Sequence, residues 1–188
     1  RGREEAVKVR RKQLKAYRTK RKGLIGLFKR CANGAIVSST FYDQLPNYWS
    51  YEIGNRLQGR GWERQGKSAN FKLLSESYLR LLASHEGDRD DSVADEIDRL
   101  ADQDVPARKA FLSEMLCLEF PQEYPVLNDP VHEYLKHIKF QAPRGSSEGA
   151  KYIDLAKKLR FSLIQNPDHV AKNIAELDAV IWLAYGKK

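Results

Sequence analysis

Residues 3–30 read REEAVKVRRKQLKAYRTKRKGLIGLFKR and have the composition of one long helix. The stretch contains no proline and no glycine before Gly23, and it is rich in residues that favour helices. Its apolar residues recur at steps of seven, three, seven and four, so they share one narrow helix face. They are Val7, Leu14, Tyr17, Leu24 and Phe28, and we call them the seam. The pattern predicts a helix from about Arg3 to Arg30 that docks through the seam and exposes cations elsewhere.

The net charge of +8 is distributed very unevenly along the chain. Residues 1–30 hold 13 lysines and arginines and two glutamates, a balance of +11, whereas the other 158 residues have a balance of −3. Such an asymmetry indicates a separate functional element. We therefore divide the chain into a basic N-terminal helix, residues 1–31, and a helical globular domain, residues 32–188. An alternative is that part of the positive charge neutralises the acidic stretch from Glu86 to Asp104.

The rest of the chain shows helical periodicity almost throughout, and it predicts an all-α, multi-helix globular domain with seven or eight helices in total. One short strand is predicted at residues 35–37, and a helix is predicted from about Asn47 to Leu57. Ser68 is a candidate N-cap for the next helix. The acidic stretch predicts a helix whose inward face is Val93, Ile97 and Leu100.

The cysteines and histidines show no metal-binding pattern. Cys31 and Cys117 lie far apart and outside any CxxC or Cys/His arrangement, which argues against a disulfide scaffold or a zinc site. His132 and His137 are five residues apart and would not share a helix face. We therefore expect no metal and no cofactor, and a reducing, cytoplasmic location, with the nucleoid or nucleus as alternatives.

Membrane association is not expected. No apolar run approaches the ~20 residues that a bilayer-spanning helix needs. The basic N-terminus is not followed by the apolar segment of a signal peptide. These features predict that the chain has no membrane partner.

Residues 61–68 read GWERQGKS and match the P-loop pattern GxxxxGK[ST]. A P-loop also needs a buried strand leading into its first glycine, and the polar residues before Gly61 do not predict one. The same region has a second interpretation, in which Arg60, Arg64 and Lys67 hold phosphates while a base stacks on Trp62. A third interpretation is that Trp62 covers the edge of the core and the cations are merely solvated.

Residues 105–137 contain a helix, a tight turn at Pro121, an extended segment and a second helix opened by Asn128. This arrangement resembles the helix–hairpin–helix DNA glycosylase superfamily, in which an FPILD-like strand places a catalytic Asp at a helix N-terminus, facing the sugar of a flipped nucleotide. The matching residues are Tyr124, Pro125, Val126, Leu127, Asn128 and Val131. The resemblance implies a glycosylase-like helical scaffold that contacts DNA.

The resemblance also implies three candidate catalytic residues. Asn128 takes the position of the catalytic Asp, Asp129 is an acid one residue further on, and Lys109 matches the lysine of the glycosylase/lyase members. An amide cannot act as a general base, and no glycine lies between Gly87 and Gly145 to form the phosphate-binding hairpin of the family. We therefore expect an inactive or atypical glycosylase-like domain. The alternative is an ordinary helical packing unit in which Asn128 is an N-cap.

Taken together, these features predict a nucleic-acid-binding helical domain, with DNA favoured as the partner and the choice between DNA and RNA left open. The predicted contacts are Arg10, Arg11, Lys15, Arg18 and Lys22 in the basic helix, and Arg60, Trp62, Arg64 and Lys67 in the basic loop. One alternative is a non-catalytic protein-interaction or assembly domain of a larger protein, in which the seam docks on a partner protein. The weaker alternative is a P-loop nucleotide-binding protein.

Overall fold

A computed structural model describes residues 1–48 and 59–186, and within these ranges the chain forms nine α-helices and no strand. The helices are α1 (Gly2–Ala32), α2 (Ser38–Tyr48), α3 (Gly59–Ser68), α4 (Phe71–Leu82), α5 (Arg89–Asp102), α6 (Arg108–Glu119), α7 (Asp129–His137), α8 (Glu148–Gln165) and α9 (Ile174–Tyr185). A 3₁₀ turn, Glu86–Asp88, leads into α5. The predicted all-α fold with a long N-terminal helix is confirmed.

Helix α1 is an integral part of the core. All five seam residues are buried, and α1 packs against α2, α4 and α9. Leu24, Leu27 and Phe28 are at most 1% exposed. The alternative in which the seam docks on a partner protein is therefore wrong, because the chain's own helices already cover the seam.

The main core is built around an aromatic cluster. The rings of Phe41 and Phe71 stack with centroids 4.6 Å apart, and Phe28 and Phe111 lie within 6.1 Å of Phe41. A smaller cluster joins α7, α8 and α9 through Val131, Leu155, Leu159, Ile174 and Ile181. The predicted inward face of α5 is confirmed, since Val93, Ile97 and Leu100 are buried.

Two predicted local features are wrong. Residues 35–37 form no strand; they belong to a turn in which the Ala35 amide donates to the Asn33 side chain over 2.9 Å, and Gly34 adopts a φ of +81°. Because this turn reverses the chain at once, helix α2 begins at Ser38. Ser68 is the last residue of α3, where its hydroxyl donates to backbone carbonyls of its own helix. The N-cap of α4 is Asn70, whose side chain accepts from the Leu73 amide.

The helix predicted from about Asn47 to Leu57 falls mostly on residues 49–58, outside the described residues. Its first two positions, Asn47 and Tyr48, form the end of α2.

Candidate nucleic-acid interface

Helix α1 presents a row of cations to solvent. Lys8, Lys12, Lys15, Arg18, Lys22 and Lys29 are all exposed, and we call them the cationic face. At about 100° per residue they lie within an arc of about 120°, and they span about 32 Å along the helix axis. None of the six forms an ion pair with any other residue that the structure describes. The cationic face is therefore a continuous, unneutralised positive surface.

The predicted contacts include only part of this face. Lys15, Arg18 and Lys22 belong to it, as predicted. Lys8, Lys12 and Lys29 are missing from the predicted set, although helical spacing relative to the seam places them on the same side. The helical period that identifies the seam would also have identified the full set of exposed cations on the opposite side of the helix.

Arg10 does not belong to the interface, and its prediction as a nucleic-acid contact is wrong. Its side chain is 1% exposed, and it donates to Glu114 over 3.1 Å and to Gln13 over 2.9 Å. Asp178 lies 3.8 Å away. Burial opposes the charge of Arg10, but these carboxylates outweigh it and raise the pKa of the guanidinium above its ordinary value. Arg10 therefore joins α1 to α6 and α9 and cannot reach a phosphate.

Cys117 is a further partner of Arg10, which donates to its sulfur over 3.4 Å. Burial raises the pKa of the Cys117 thiol to about 12, although the neighbouring guanidinium acts in the opposite direction. The thiol consequently remains protonated at neutral pH and is not a nucleophile.

Two other cations of α1 are also paired with acids of the globular body. Arg11, a predicted contact, donates to Glu176 over 2.6 Å, while its own side chain stays 58% exposed. Arg21 pairs with Glu119 over 2.6 Å. Arg11 thus lies within the arc of the cationic face, but its charge is already balanced.

The acidic stretch from Glu86 to Asp104 does not neutralise α1 in the part of the chain that the structure describes. Its acids pair elsewhere: Glu96 with Arg80 of α4 and with Arg99 of its own helix, and Asp90 with Arg160 of α8. The acids that do form ion pairs with α1 are in α6 and α9. The alternative that the acidic stretch absorbs the charge of the basic helix is not what the structure shows.

The P-loop interpretation is wrong because all eight residues of the motif, 61–68, lie within helix α3. A P-loop wraps phosphates with free backbone N–H groups, whereas those of a continuous helix point along its axis to carbonyls. Arg60, Arg64 and Lys67 are exposed at helical spacing and share one face of α3. They remain candidates for phosphate contact.

Trp62 cannot stack on a base. Its side chain is 9% exposed, and its ring is parallel to that of Phe111 within 12°, with the centroids 5.9 Å apart. The Phe71 ring lies edge-on at 6.3 Å. The interpretation in which Trp62 covers the core is confirmed, and the prediction that it contacts nucleic acid is wrong.

The three candidate catalytic residues do come together in space. Lys109, Asn128 and Asp129 line one cleft of about 380 Å³ between the N-termini of α6 and α7, and Gln65 of α3 also reaches it. Lys109 forms an ion pair with Glu148 over 3.1 Å. His132 lines the same cleft, and burial, followed by the charge of Lys109, lowers its pKa. Residues 19 positions apart in the sequence therefore meet in one cleft.

Asn128 has a clear local role. Its side-chain oxygen accepts from the Val131 amide over 3.1 Å, so it is the N-cap of α7. Its amide nitrogen is buried and has no hydrogen-bond partner. The Asn128 side-chain oxygen, which takes the place of the carboxylate of a catalytic Asp, thus accepts a hydrogen bond from the first turn of α7 and carries no charge.

The connection between α5 and α6 has left-handed backbone without glycine. Asp104 has a φ of +49° and Ala107 a φ of +64°. The amides of Asp104 and Val105 donate to carbonyls at the end of α5, over 3.0 Å each. These two N–H groups are therefore not free to bind a phosphate. The cationic face of α1 is left as the main candidate for contact with the phosphates of a nucleic acid.

No protein-family model matches the sequence, and comparisons with curated proteins and with solved structures find no match. In residues 1–48 and 59–186, no helix is both long and apolar enough to cross a bilayer.

Proposed function

We propose that the protein binds nucleic acid through the cationic face of α1. The observation that supports this most is that six exposed cations in one arc have no acidic partner among the described residues. Cations that serve only the fold are paired, as Arg10 and Arg21 are. An unpaired row is favourable when it meets phosphates, because binding then releases condensed counterions.

The rigidity of α1 supports the same proposal. Because the seam is buried, the backbone of the helix is fixed, and its exposed side chains start from defined positions. Lysine and arginine side chains on such a support can reach several phosphates without a large cost of ordering the backbone. We propose DNA as the partner, in line with the resemblance of residues 105–137 to DNA glycosylases.

We further propose that the chain does not catalyse base excision. Asn128 takes the position of the catalytic acid, and its amide can neither accept a proton in the reaction nor stabilise a developing cation. Lys109 is held in an ion pair with Glu148 over 3.1 Å, so its side chain is not free to attack a sugar. Glycosylase-like architecture would then serve binding alone.

Binding is tested with fluorescent duplex DNA, single-stranded DNA and duplex RNA at low and high salt. We expect the tightest binding to duplex DNA and a steep loss of affinity at high salt. The variant Lys15→Gln/Lys22→Gln should bind weakly, whereas Arg144→Gln/Lys157→Gln, which removes the same charge elsewhere on the exposed surface, should bind like the wild type. The absence of binding at low salt, or equal losses in both variants, would contradict the proposal.

Catalysis is tested by incubating damaged and mismatched duplexes with the protein and assaying for abasic sites. We expect no product from the wild type. Product that persists in the double variant Asn128→Ala/Asp129→Ala would show that an active site lies elsewhere. Product that disappears in this variant would show that Asp129 supplies the acid.

A further inference from the structure

A second cleft lies on the far side of Lys109, between the start of α6, helix α7 and the first half of α8. Its volume is about 540 Å³, within the range of small-molecule sites. Leu127, Leu135, Phe140 and Leu155 provide an apolar lining. Four lysines also line it: Lys109, Lys136, Lys139 and Lys151. Glu148 is the one carboxylate among the lining residues that the structure describes.

The charges of this cleft are only partly balanced. Lys109 pairs with Glu148, and Lys136 pairs with Glu133 over 2.8 Å. Lys139 and Lys151 are exposed and have no ion-pair partner among the described residues. The cleft therefore presents two unneutralised ammonium groups beside an apolar surface, which suits a ligand with a doubly charged anionic end and an uncharged body.

Lys139 also occupies a backbone position that favours glycine. Lys139 has a φ of +53° and ends α7 in a left-handed turn, in which the Phe140 amide donates to Leu135 over 2.9 Å. Glycine is the favoured residue at such a position, since a side chain adds strain there. A lysine at this place costs stability, and the structure gives its ammonium group no partner within the described chain.

We propose that this cleft binds the phosphomonoester group of a nucleotide, with the phosphate between Lys139 and Lys151 and the base against Leu135 and Phe140. Lysine binds phosphate as a compact point charge, without the planar geometry that favours arginine for carboxylates. The phosphate has two possible sources, a free nucleotide or the terminal phosphate of a strand. The cleft includes no residue of the cationic face of α1, so the two proposed sites can be tested independently.

The proposal is tested by calorimetric titration of the full chain with adenosine 5′-monophosphate, and with adenosine as the uncharged reference. We expect the monophosphate to bind and adenosine to bind at least tenfold more weakly. Lys151→Gln should weaken binding of the monophosphate about tenfold, the usual loss for one charge-assisted contact. Lys157→Gln, an exposed lysine on the same helix that does not line the cleft, should change affinity less than twofold.

Lys139→Gly separates a binding role from a structural one. Glycine relieves the left-handed backbone, so the melting temperature should not fall, yet affinity for the monophosphate should drop about tenfold. A loss of binding in this variant cannot then be attributed to unfolding.

A short single strand with a 5′-phosphate, compared with the same strand ending in a hydroxyl, distinguishes the two sources. A preference for the phosphorylated strand over both its hydroxyl form and the free nucleotide assigns the site to strand ends, and the reverse order assigns it to free nucleotides. The proposal is overturned if neither ligand binds better with its phosphate than without it. It is also overturned if the preference survives in both Lys139→Gly and Lys151→Gln.

Discussion

Arg10 and Lys8 are two residues apart on α1 and have opposite environments. Lys8 is exposed, whereas Arg10 is buried with Glu114 in contact and Asp178 nearby. Removing one member of a buried ion pair leaves the other charge without compensation in a low dielectric. A cationic side chain is thus exposed to solvent at one position and serves the fold at the other.

We expect Arg10→Ala to destabilise the fold by about 3–5 kcal/mol, because Glu114 would remain buried without its cation. Lys8→Ala should change the free energy of unfolding by less than about 0.5 kcal/mol. Urea denaturation of both variants measures the difference. Equal stabilities of the two variants would contradict the structural role of Arg10.

Part of the residue-scale outcome could be predicted and part could not. Arg10 lies three residues after Val7 and four before Leu14, so its place on the buried face is encoded in the seam. Its acidic partners are in α6 and α9, more than 100 positions away, and no local sequence pattern predicts them. The burial of Trp62 likewise depends on Phe71 and Phe111, which only the tertiary fold brings to its ring.

At the scale of elements, helices with a continuous apolar face were predictable, and short connections were not. The periodicity of α1 and α5 is long enough to outweigh local ambiguity. Residues 35–37 are apolar but too few to show a period, and the turn at Asn33 and Gly34 determines their conformation instead. In α3, the match to a nucleotide-binding pattern gives no information on backbone conformation, which is helical throughout the motif.

Helices α5 and α8 are joined by Asp90 and Arg160, and this pair makes stability depend on pH. The hydrogen bond from Arg160, rather than burial, sets the direction and lowers the pKa of Asp90. The pair therefore stabilises the fold above the ordinary carboxylate pKa of about 3.9, and this stabilisation is lost as the pH falls through the lowered value.

We expect Asp90→Asn to lower the free energy of unfolding at pH 7 by roughly 1 kcal/mol, the upper range for partly exposed pairs. The difference between the wild type and the variant should shrink as the pH falls through the lowered pKa of Asp90, because the carboxylate then becomes protonated. Urea denaturation at several pH values measures this difference in the free energy of unfolding. Asp154→Asn is the control, because the pair of Asp154 with Lys158 is exposed. A difference that is the same at neutral pH and in strong acid, where all carboxylates are protonated, would contradict the assigned ion pair.

The helix that carries the cationic face also forms part of the main core of the molecule. Leu24, Leu27, Phe28 and Cys31 of α1 are at most 1% exposed, and they lie in the same core cluster as α4 and α6. The positive charge of residues 1–30 is thus attached to a helix on which the packing of the rest depends.

A chain that starts at residue 32 should therefore fail to fold, which tests the predicted division after residue 31. We expect loss of near-ultraviolet circular dichroism and of a cooperative thermal transition. The full chain with Lys15→Gln/Lys22→Gln should keep both signals. Cooperative folding of the truncated chain would show that the helix is a separable appendage.

Binding of phosphates by the cationic face of α1 is tested most directly by the salt dependence of duplex affinity. The slope of log affinity against log salt changes by about 0.9 for each phosphate that the protein no longer neutralises. Lys15→Gln/Lys22→Gln should therefore reduce the slope by roughly 2 relative to the wild type, while Arg144→Gln/Lys157→Gln leaves it unchanged. An unchanged slope in Lys15→Gln/Lys22→Gln would contradict the assignment of α1 as the nucleic-acid interface.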